Sequence, residues 1–156
     1  MEKKRELEVQ QYWQNKENEL GEPILLKSIS HTFQSGGLEA FGVLFASRSY
    51  LVFEYAKSSR RSILEVLFSR REEKLSEQVK MARSDIRGVG LVPTSRARRW
   101  LARSLPAQEV AARLARQKPS PLAALLSGSS ICLCTSDTCL VLDTPSNRQW
   151  LSLLRS

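Results

Sequence analysis

The chain has 156 residues, of which 42% are hydrophobic and 26% are charged, and its formal net charge is +8. This size suits a single domain with its own core, and the composition is that of a globular protein rather than a disordered chain. No apolar run approaches the roughly 20 residues that a membrane-spanning helix needs.

The N-terminal half begins with a helical pattern and then changes to a strand pattern. Charged residues of both signs surround a ragged apolar stripe in residues 2–20, and Gly21 and Pro23 end the helix that this stripe predicts. Runs of branched and aromatic residues separated by polar or glycine-containing turns then predict three strands. These strands are expected at 24–33, 38–46 and 50–56.

The middle of the chain predicts further strands and then a helical segment. A fourth strand is expected at 62–68, followed either by two short strands at 79–82 and 86–92 or by one bent strand that pivots on Ser84 and Asp85. The spacing of apolar residues changes to a helical period in residues 95–126. Within that segment Pro106 marks the start of a second helix, because proline is favoured in a first helical turn.

The last 26 residues predict a hairpin and a short helix. The apolar runs 131–134 and 139–142 flank the polar turn 135–138, which is typical of two antiparallel strands. Trp150 and the leucines that follow it give the terminal helix one apolar face. A short helix with a large aromatic side chain is suited to closing one end of an open β-barrel.

Three segments, in this order, resemble the pleckstrin-homology-like (PH-like) barrel family, which includes the GRAM and bacterial PH relatives. The segment 42–53 (GVLFASRSYLVF) is similar to the hairpin of the family's second and third strands, and 79–89 (VKMARSDIRGV) is similar to a strand with an Asp-Ile pair before a valine. The segment 131–154 resembles the last two strands and the capping helix. The resemblance implies a PH-like antiparallel barrel or roll, mainly β with α, capped by a short C-terminal helix.

The sequence departs from the family pattern in two places. The helical segment is not a standard part of the barrel, so it is interpreted as an insertion before the last hairpin. Family members that bind phosphoinositides carry several basic residues around the first hairpin, whereas here that hairpin offers Lys27 and His31 and the loop 32–39 has no lysine or arginine. The resemblance therefore implies the fold more than the recognition of an inositol lipid.

The positive charge is concentrated in the helical insertion. Residues 94–118 contain seven basic residues and one acid, so they carry +6 and the rest of the chain carries +2. The spacing of Arg96, Arg99 and Arg103 puts them on one helix face, opposite Trp100 and the neighbouring leucines. Two interpretations stay open: a face that binds phosphate groups of a membrane or a nucleic acid, and a solvated face of a helix that packs on the sheet. The candidate residues for binding an anionic partner are Arg96, Arg99, Arg103, Arg113 and Arg116.

The cysteines and the histidine indicate a metal site or a catalytic site less strongly than the arginines indicate a binding surface. Cys132, Cys134 and Cys139 have the softness of metal ligands, but a structural zinc site needs four ligands and small core residues are the preferred interpretation. His31 is the only histidine, and no nucleophile or orienting group in its sequence neighbourhood predicts a general base. We therefore expect no enzyme, no metal and no cofactor.

These patterns predict an N-terminal helix or arm at 1–22 and a PH-like domain at 23–156, with a basic helical insertion at 94–127. The expected function is a non-catalytic binding or adaptor module that engages a protein partner or an anionic membrane surface. The alternative is a nucleic-acid-binding protein that uses the same arginines. A basic N-terminus without a following apolar stretch and an odd number of cysteines predict a cytoplasmic protein, peripheral at a membrane if it contacts one. The oligomeric state is left open.

Overall fold

A computed structural model describes residues 1–34, 38–55, 77–117 and 128–156. The described residues form four α-helices and seven strands, with a 3-10 turn at Arg83–Asp85 between the fourth and fifth strands. The strands are β1 (Leu26–Gln34), β2 (Leu38–Ala46), β3 (Tyr50–Tyr55), β4 (Glu77–Ala82), β5 (Gly88–Pro93), β6 (Ser129–Cys134) and β7 (Cys139–Asp143). The helices are α1 (Glu2–Leu20), α2 (Thr94–Ala102), α3 (Ala107–Arg116) and α4 (Asn147–Arg155).

Most boundaries agree with the sequence patterns. The helix at 2–20 and the strand at 38–46 are confirmed residue for residue, and the terminal hairpin and helix are confirmed as β6, β7 and α4. The first strand starts two residues later than predicted, β4 starts two residues earlier and β5 runs from Gly88 to Pro93. The predicted strand at 62–68 and the end of the helical segment at 118–126 lie outside the described residues.

The strands form one antiparallel sheet in the order β4-β3-β2-β1-β7-β6-β5. Two meanders, β1–β4 and β5–β7, are joined where β1 pairs with β7 from His31↔Asp143 to Gln34↔Leu140. No ladder links β4 to β5 among the described residues. The closed barrel that the sequence suggested is therefore not formed, and the sheet is open at this edge. The 3-10 turn at Arg83–Asp85 separates β4 from β5, and directly after it the chain pairs with β6, where Arg87 N–H donates to the Cys134 carbonyl.

The inner face of the curled sheet is filled by α4. Trp150 is fully buried, and its Nε1–H donates to Ser28 Oγ over 2.8 Å. Leu154 packs in the same cluster with aliphatic and aromatic side chains from both meanders. The predicted terminal helix with a buried tryptophan is confirmed, but it packs on an open sheet rather than closing the end of a barrel. Because one indole contacts residues from strands far apart in sequence, α4 holds the two meanders together.

Arg83 fixes the end of α4 to the turn between β2 and β3. Its guanidinium donates to the carbonyl of Leu153 in the last turn of α4 and, over 3.2 Å, to the carbonyl of Ser47. A cation at a helix C-terminus is favourable because the last carbonyls of a helix have no partner within it. The 3-10 turn thus positions both edge strands and the capping helix.

Helices α2 and α3 cover the outer face of β5, β6 and β7. Trp100 and Val110 are buried there against Cys132, Val141 and their neighbours in a second core. Gly88 permits the close approach of α3, since a Cβ at that position would lie 3.3 Å from Ala111 Cβ.

Helix α1 covers the outer face of β2 and β3 through a small cluster of contacts. Trp13 meets the ring of Phe45 edge-on at 5.6 Å. Tyr12 Oη donates to one carboxylate oxygen of Glu54 and Lys16 Nζ to the other, both over 2.6 Å. Burial, followed by the hydrogen bond to Glu54, raises the pKa of the Tyr12 phenol above its usual range. No residue of α1 is fully buried, so its attachment depends on this cluster.

We expect Gly42→Ala to lower the free energy of unfolding by about 2 kcal/mol or more, because overpacking forces the backbone to move. A Cβ at position 42 would collide with the carbonyl oxygen of Glu54 and lie 3.0 Å from Phe53 Cε2. The measurement is denaturant unfolding. Gly90→Ala is the matched control, since its Cβ would reach only ordinary contact, 3.4 Å from Leu114 Cδ2. Equal stability of the two variants would contradict this packing.

We expect Glu54→Gln to release α1 while leaving the sheet folded. The change removes the charge that Lys16 and Tyr12 share, and a cost of about 2 kcal/mol corresponds to amide exchange in α1 that is more than tenfold faster. Glu19→Gln is the control, because Glu19 also pairs with Lys16 but is exposed, and such pairs contribute little. Hydrogen exchange of α1 relative to β6 and β7 measures the effect. Unchanged exchange in α1 after Glu54→Gln would show that other contacts hold the helix.

Candidate binding surfaces on the outer face

The predicted arginine face of α2 is exposed to solvent. Arg96, Arg99 and Arg103 are all exposed, whereas Ala97 and Trp100 on the opposite side are buried against the sheet. Within the described parts of the chain, none of these three guanidinium groups makes an ion pair or hydrogen bond through its side chain. The helix geometry that the sequence predicted is therefore present, and its charge is not neutralised by the described residues.

Helix α3 extends the same basic region. Arg113 donates to Glu109 over 3.0 Å, and Arg116 is exposed. Both arginines lie in the last turn of the helix, where the helix dipole favours cations. Together with Arg103, which directly follows α2, the two helices contain six arginines and one glutamate, so residues 94–116 carry +5 of the net charge of +8.

Between α1 and α2 the outer face of β1, β2 and β7 is uncovered and forms a groove of about 270 Å³. We call it the outer groove, and its lining residues are Ile29, Ser30, His31, Phe41, Asp143, Thr144 and Pro145. The sequence did not predict it. The groove brings together residues from three strands whose pairing depends on the β1–β7 junction, so no local pattern could have indicated it.

An aromatic row connects the outer groove to α2. The rings of Phe41 and His31 are stacked at 3.9 Å, and the ring of Phe33 lies 4.3 Å from that of His31. The guanidinium carbon of Arg98 lies over Phe33 at 4.2 Å, a cation–π contact. Arg98 is thus directed toward the sheet, in contrast to the exposed face formed by Arg96, Arg99 and Arg103.

His31 has acidic neighbours that its sequence context did not show. Its Nε2 lies 3.0 Å from Glu39 Oε1, and Asp143 is its cross-strand partner on β7. The adjacent hydroxyl of Ser30 faces the sheet interior and pairs with Thr32 Oγ1 at 3.2 Å. Alternate strand residues face opposite sides of a sheet, so that hydroxyl is not presented to the imidazole as a nucleophile.

The three cysteines lie together on the outer face of β6 and β7, beneath α2 and α3. All three are buried and none forms a disulfide, and Cys134 and Cys139 are cross-strand partners. The hydrogen bond with Cys132, together with burial, raises the pKa of Cys134 to about 12. A hydrogen bond with Cys134 and burial also raise the pKa of Cys139. Among the described residues, no group of three or more histidine, cysteine or acidic side chains is arranged to hold a metal ion.

Comparison with known proteins gives no family for this chain. No family model matches it, and no curated protein matches it. One solved structure that it resembles is the C-terminal domain of an unknown protein from Leishmania infantum, with 12% sequence identity, a TM-score of 0.48 and 94% of each chain covered. Within the described residues, no helix has the length and apolar character to cross a bilayer.

We expect the buried thiols to resist modification in the folded protein. With a pKa of about 12, only about one Cys134 in 10⁴ is a thiolate at about pH 8, and the thiolate is the reactive form. The measurement is the absorbance of the thionitrobenzoate that is released when a thiolate reacts with dithiobis(nitrobenzoate). Native protein should react at least about a hundredfold more slowly than protein unfolded in guanidinium chloride, in which all three thiols are accessible. Rapid reaction of the native protein would contradict the burial.

Proposed function

We propose that this protein is a non-catalytic, PH-like binding module whose basic helices α2 and α3 contact an anionic membrane surface. The PH-like assignment is supported by the two meanders, by the C-terminal helix with a buried tryptophan and by the resemblance of three sequence segments. The open edge between β4 and β5 makes the scaffold a roll rather than a closed barrel.

The observation that carries this proposal is the exposed face of α2. Arg96, Arg99 and Arg103 point to solvent without ionic partners in the described residues, while Trp100 anchors the other side of the helix in the core. A helix held in this way presents its arginines in a fixed arrangement, which reduces the entropy lost when they bind.

The shape of the basic region favours a surface over a single small anion. The arginines occupy positions 96, 98, 99, 103, 113 and 116, so the charge is distributed over two helices and the residue after the first of them rather than gathered at one point. Charges spread in this way suit many headgroups, each basic residue contributing about 1 kcal/mol near an anionic bilayer. The lining of the outer groove, in contrast, contains no lysine or arginine to hold a phosphate.

The aromatic row favours a second candidate, single-stranded nucleic acid bound by the same arginines. Bases stack on exposed aromatic rings, and Phe41 is 44% exposed beside the row that ends at Arg98. The carboxylates of Glu39 and Asp143 flank that row and repel phosphates, so the membrane proposal ranks first.

The test is sedimentation with liposomes of phosphatidylcholine alone and of phosphatidylcholine with phosphatidylserine. We expect binding only to the anionic liposomes, with more than tenfold weaker binding by the triple variant Arg96→Ala, Arg99→Ala, Arg103→Ala, because about 3 kcal/mol of attraction is lost. The matched control is Lys3→Ala, Lys4→Ala, Arg5→Ala, which removes the same charge from the exposed start of α1.

The two triple variants distinguish binding at the arginine face of α2 from attraction by the overall positive charge of the protein. Retained binding by the α1 variant supports the proposal, and equal loss by both variants contradicts it. Absence of binding by the wild-type protein at low salt also contradicts it. A single-stranded oligonucleotide tested in parallel, with binding that falls steeply as salt rises, would identify the second candidate.

A further inference from the structure

Among the described residues, the helices on the outer face of the sheet leave part of that face uncovered. Helix α1 reaches β1 at Lys27, whose ammonium lies over the ring of Trp13 at 4.5 Å. Helix α2 reaches the same strand at Phe33 through Arg98. Between these positions, Ile29 and His31 of β1 and their neighbours on β2 are not covered by either helix.

The uncovered part of the sheet lies between the two points where these helices contact β1. Phe33 is six positions after Lys27, which is about 20 Å of strand. An α-helix with its side chains is about 10 Å across.

The floor of the outer groove is apolar. Ile29 and Phe41 are each 44% exposed although they lie in the middle of long, well-paired strands. Pro145 extends the same surface at the end of β7. Adjacent apolar side chains left exposed along a groove in the sheet indicate a site for a partner.

The rim of the outer groove is acidic, in contrast to the rest of the protein. Asp143 is exposed and makes no side-chain hydrogen bond or ion pair with the described residues, and Glu39 has only His31. The cations at the two ends, Lys27 and Arg98, lie over aromatic rings of this chain. Both cations are exposed and keep their charge, but the residues that line the groove include Asp143 and no lysine or arginine, so the charge within the groove itself is negative.

We infer that the outer groove docks an amphipathic helix of a partner protein, with its apolar side on Ile29 and Phe41 and a lysine or arginine at Asp143 and Glu39. This is the helix-in-groove mode of peptide recognition, in which residues at i, i+3 or i+4 and i+7 provide the anchors. The site shares no residue with the arginine face of α2. The protein would thus connect an anionic surface to a protein partner, which goes beyond the function proposed above.

The probe for this inference is a phage-displayed library of random 16-residue peptides. Selection uses wild-type protein, with counter-selection against the double variant Ile29→Ser, Phe41→Ser. We expect enriched peptides to have apolar residues at helical spacing and a net positive charge. Labelled synthetic copies, measured by fluorescence anisotropy, should bind the double variant at least about tenfold more weakly than wild type. Leu25→Ser, Leu91→Ser is the matched control, since these exposed leucines lie outside the groove, and it should bind as wild type does.

A charge reversal tests the rim without altering the apolar floor. We expect Asp143→Lys to weaken binding of the selected peptides about tenfold, and a peptide with its lysine changed to glutamate to regain affinity for that variant. Asp143 is exposed, so folding of this variant is not at issue even if the double serine variant is unstable.

Three results would overturn the inference. The first is the absence of any enriched sequence, and the second is equal binding of enriched peptides to the wild-type protein and the groove variants. The third is selection of acidic peptides that lose binding to the Arg96→Ala, Arg99→Ala, Arg103→Ala variant, which would place protein docking on α2. None of these results depends on liposome binding, so this inference and the proposed membrane contact can fail separately.

Discussion

The rest of the structure depends on a hairpin that is buried on both faces. Ile131, Leu133, Leu140 and Leu142 point into the sheet interior, where they meet Trp150, while Cys132, Cys134, Cys139 and Val141 point outward beneath α2 and α3. A strand pair covered on both sides cannot shift its register without exposing one of its two cores, so β6 and β7 have a strongly specified position. The terminal helix, the basic helices and the β1–β7 junction are all placed relative to this hairpin.

The other half of the sheet is covered in a different way. Helix α1 contributes no fully buried residue, and its contacts are one aromatic pair with Phe45 of β2 and polar bonds to the buried carboxylate of Glu54 on β3. Hydrogen-bonded charges of this kind define the position of a helix more than they stabilise it, because desolvation offsets much of the attraction. In the described part of the chain, helices therefore cover the outer face on β2 and β3 and on β5 to β7, while Ile29 and Phe41 between them remain half exposed.

The two proposed surfaces on the outer face also differ in charge. The arginines of α2 are held on a helix whose apolar side is part of a core, so their charge is free to attract an anionic partner. The outer groove presents carboxylates around an apolar floor and suits a cationic partner. The three cysteines are buried beneath the basic helices, and the raised pKa values of Cys134 and Cys139 keep those two thiols protonated, as expected of packing residues rather than nucleophiles.

Local periodicity was sufficient for much of the fold. The bounds of α1 and β2, the terminal hairpin, the helix with Trp150 and the exposed arginine face all follow from patterns within about 20 neighbouring residues, because hydrophobic spacing and turn residues act over that distance. The tertiary structure alone decided which strands pair. Three sets of contacts join residues that are separate in sequence: the β1–β7 ladder between the meanders, the attachment of α1 to Glu54, and the contacts of His31 with Glu39 and Asp143. The open edge between β4 and β5 likewise depends on which strands pair. Such contacts depend on how the elements pack around a shared core, and the spacing of residues along one strand or helix carries no information about its neighbour across the sheet.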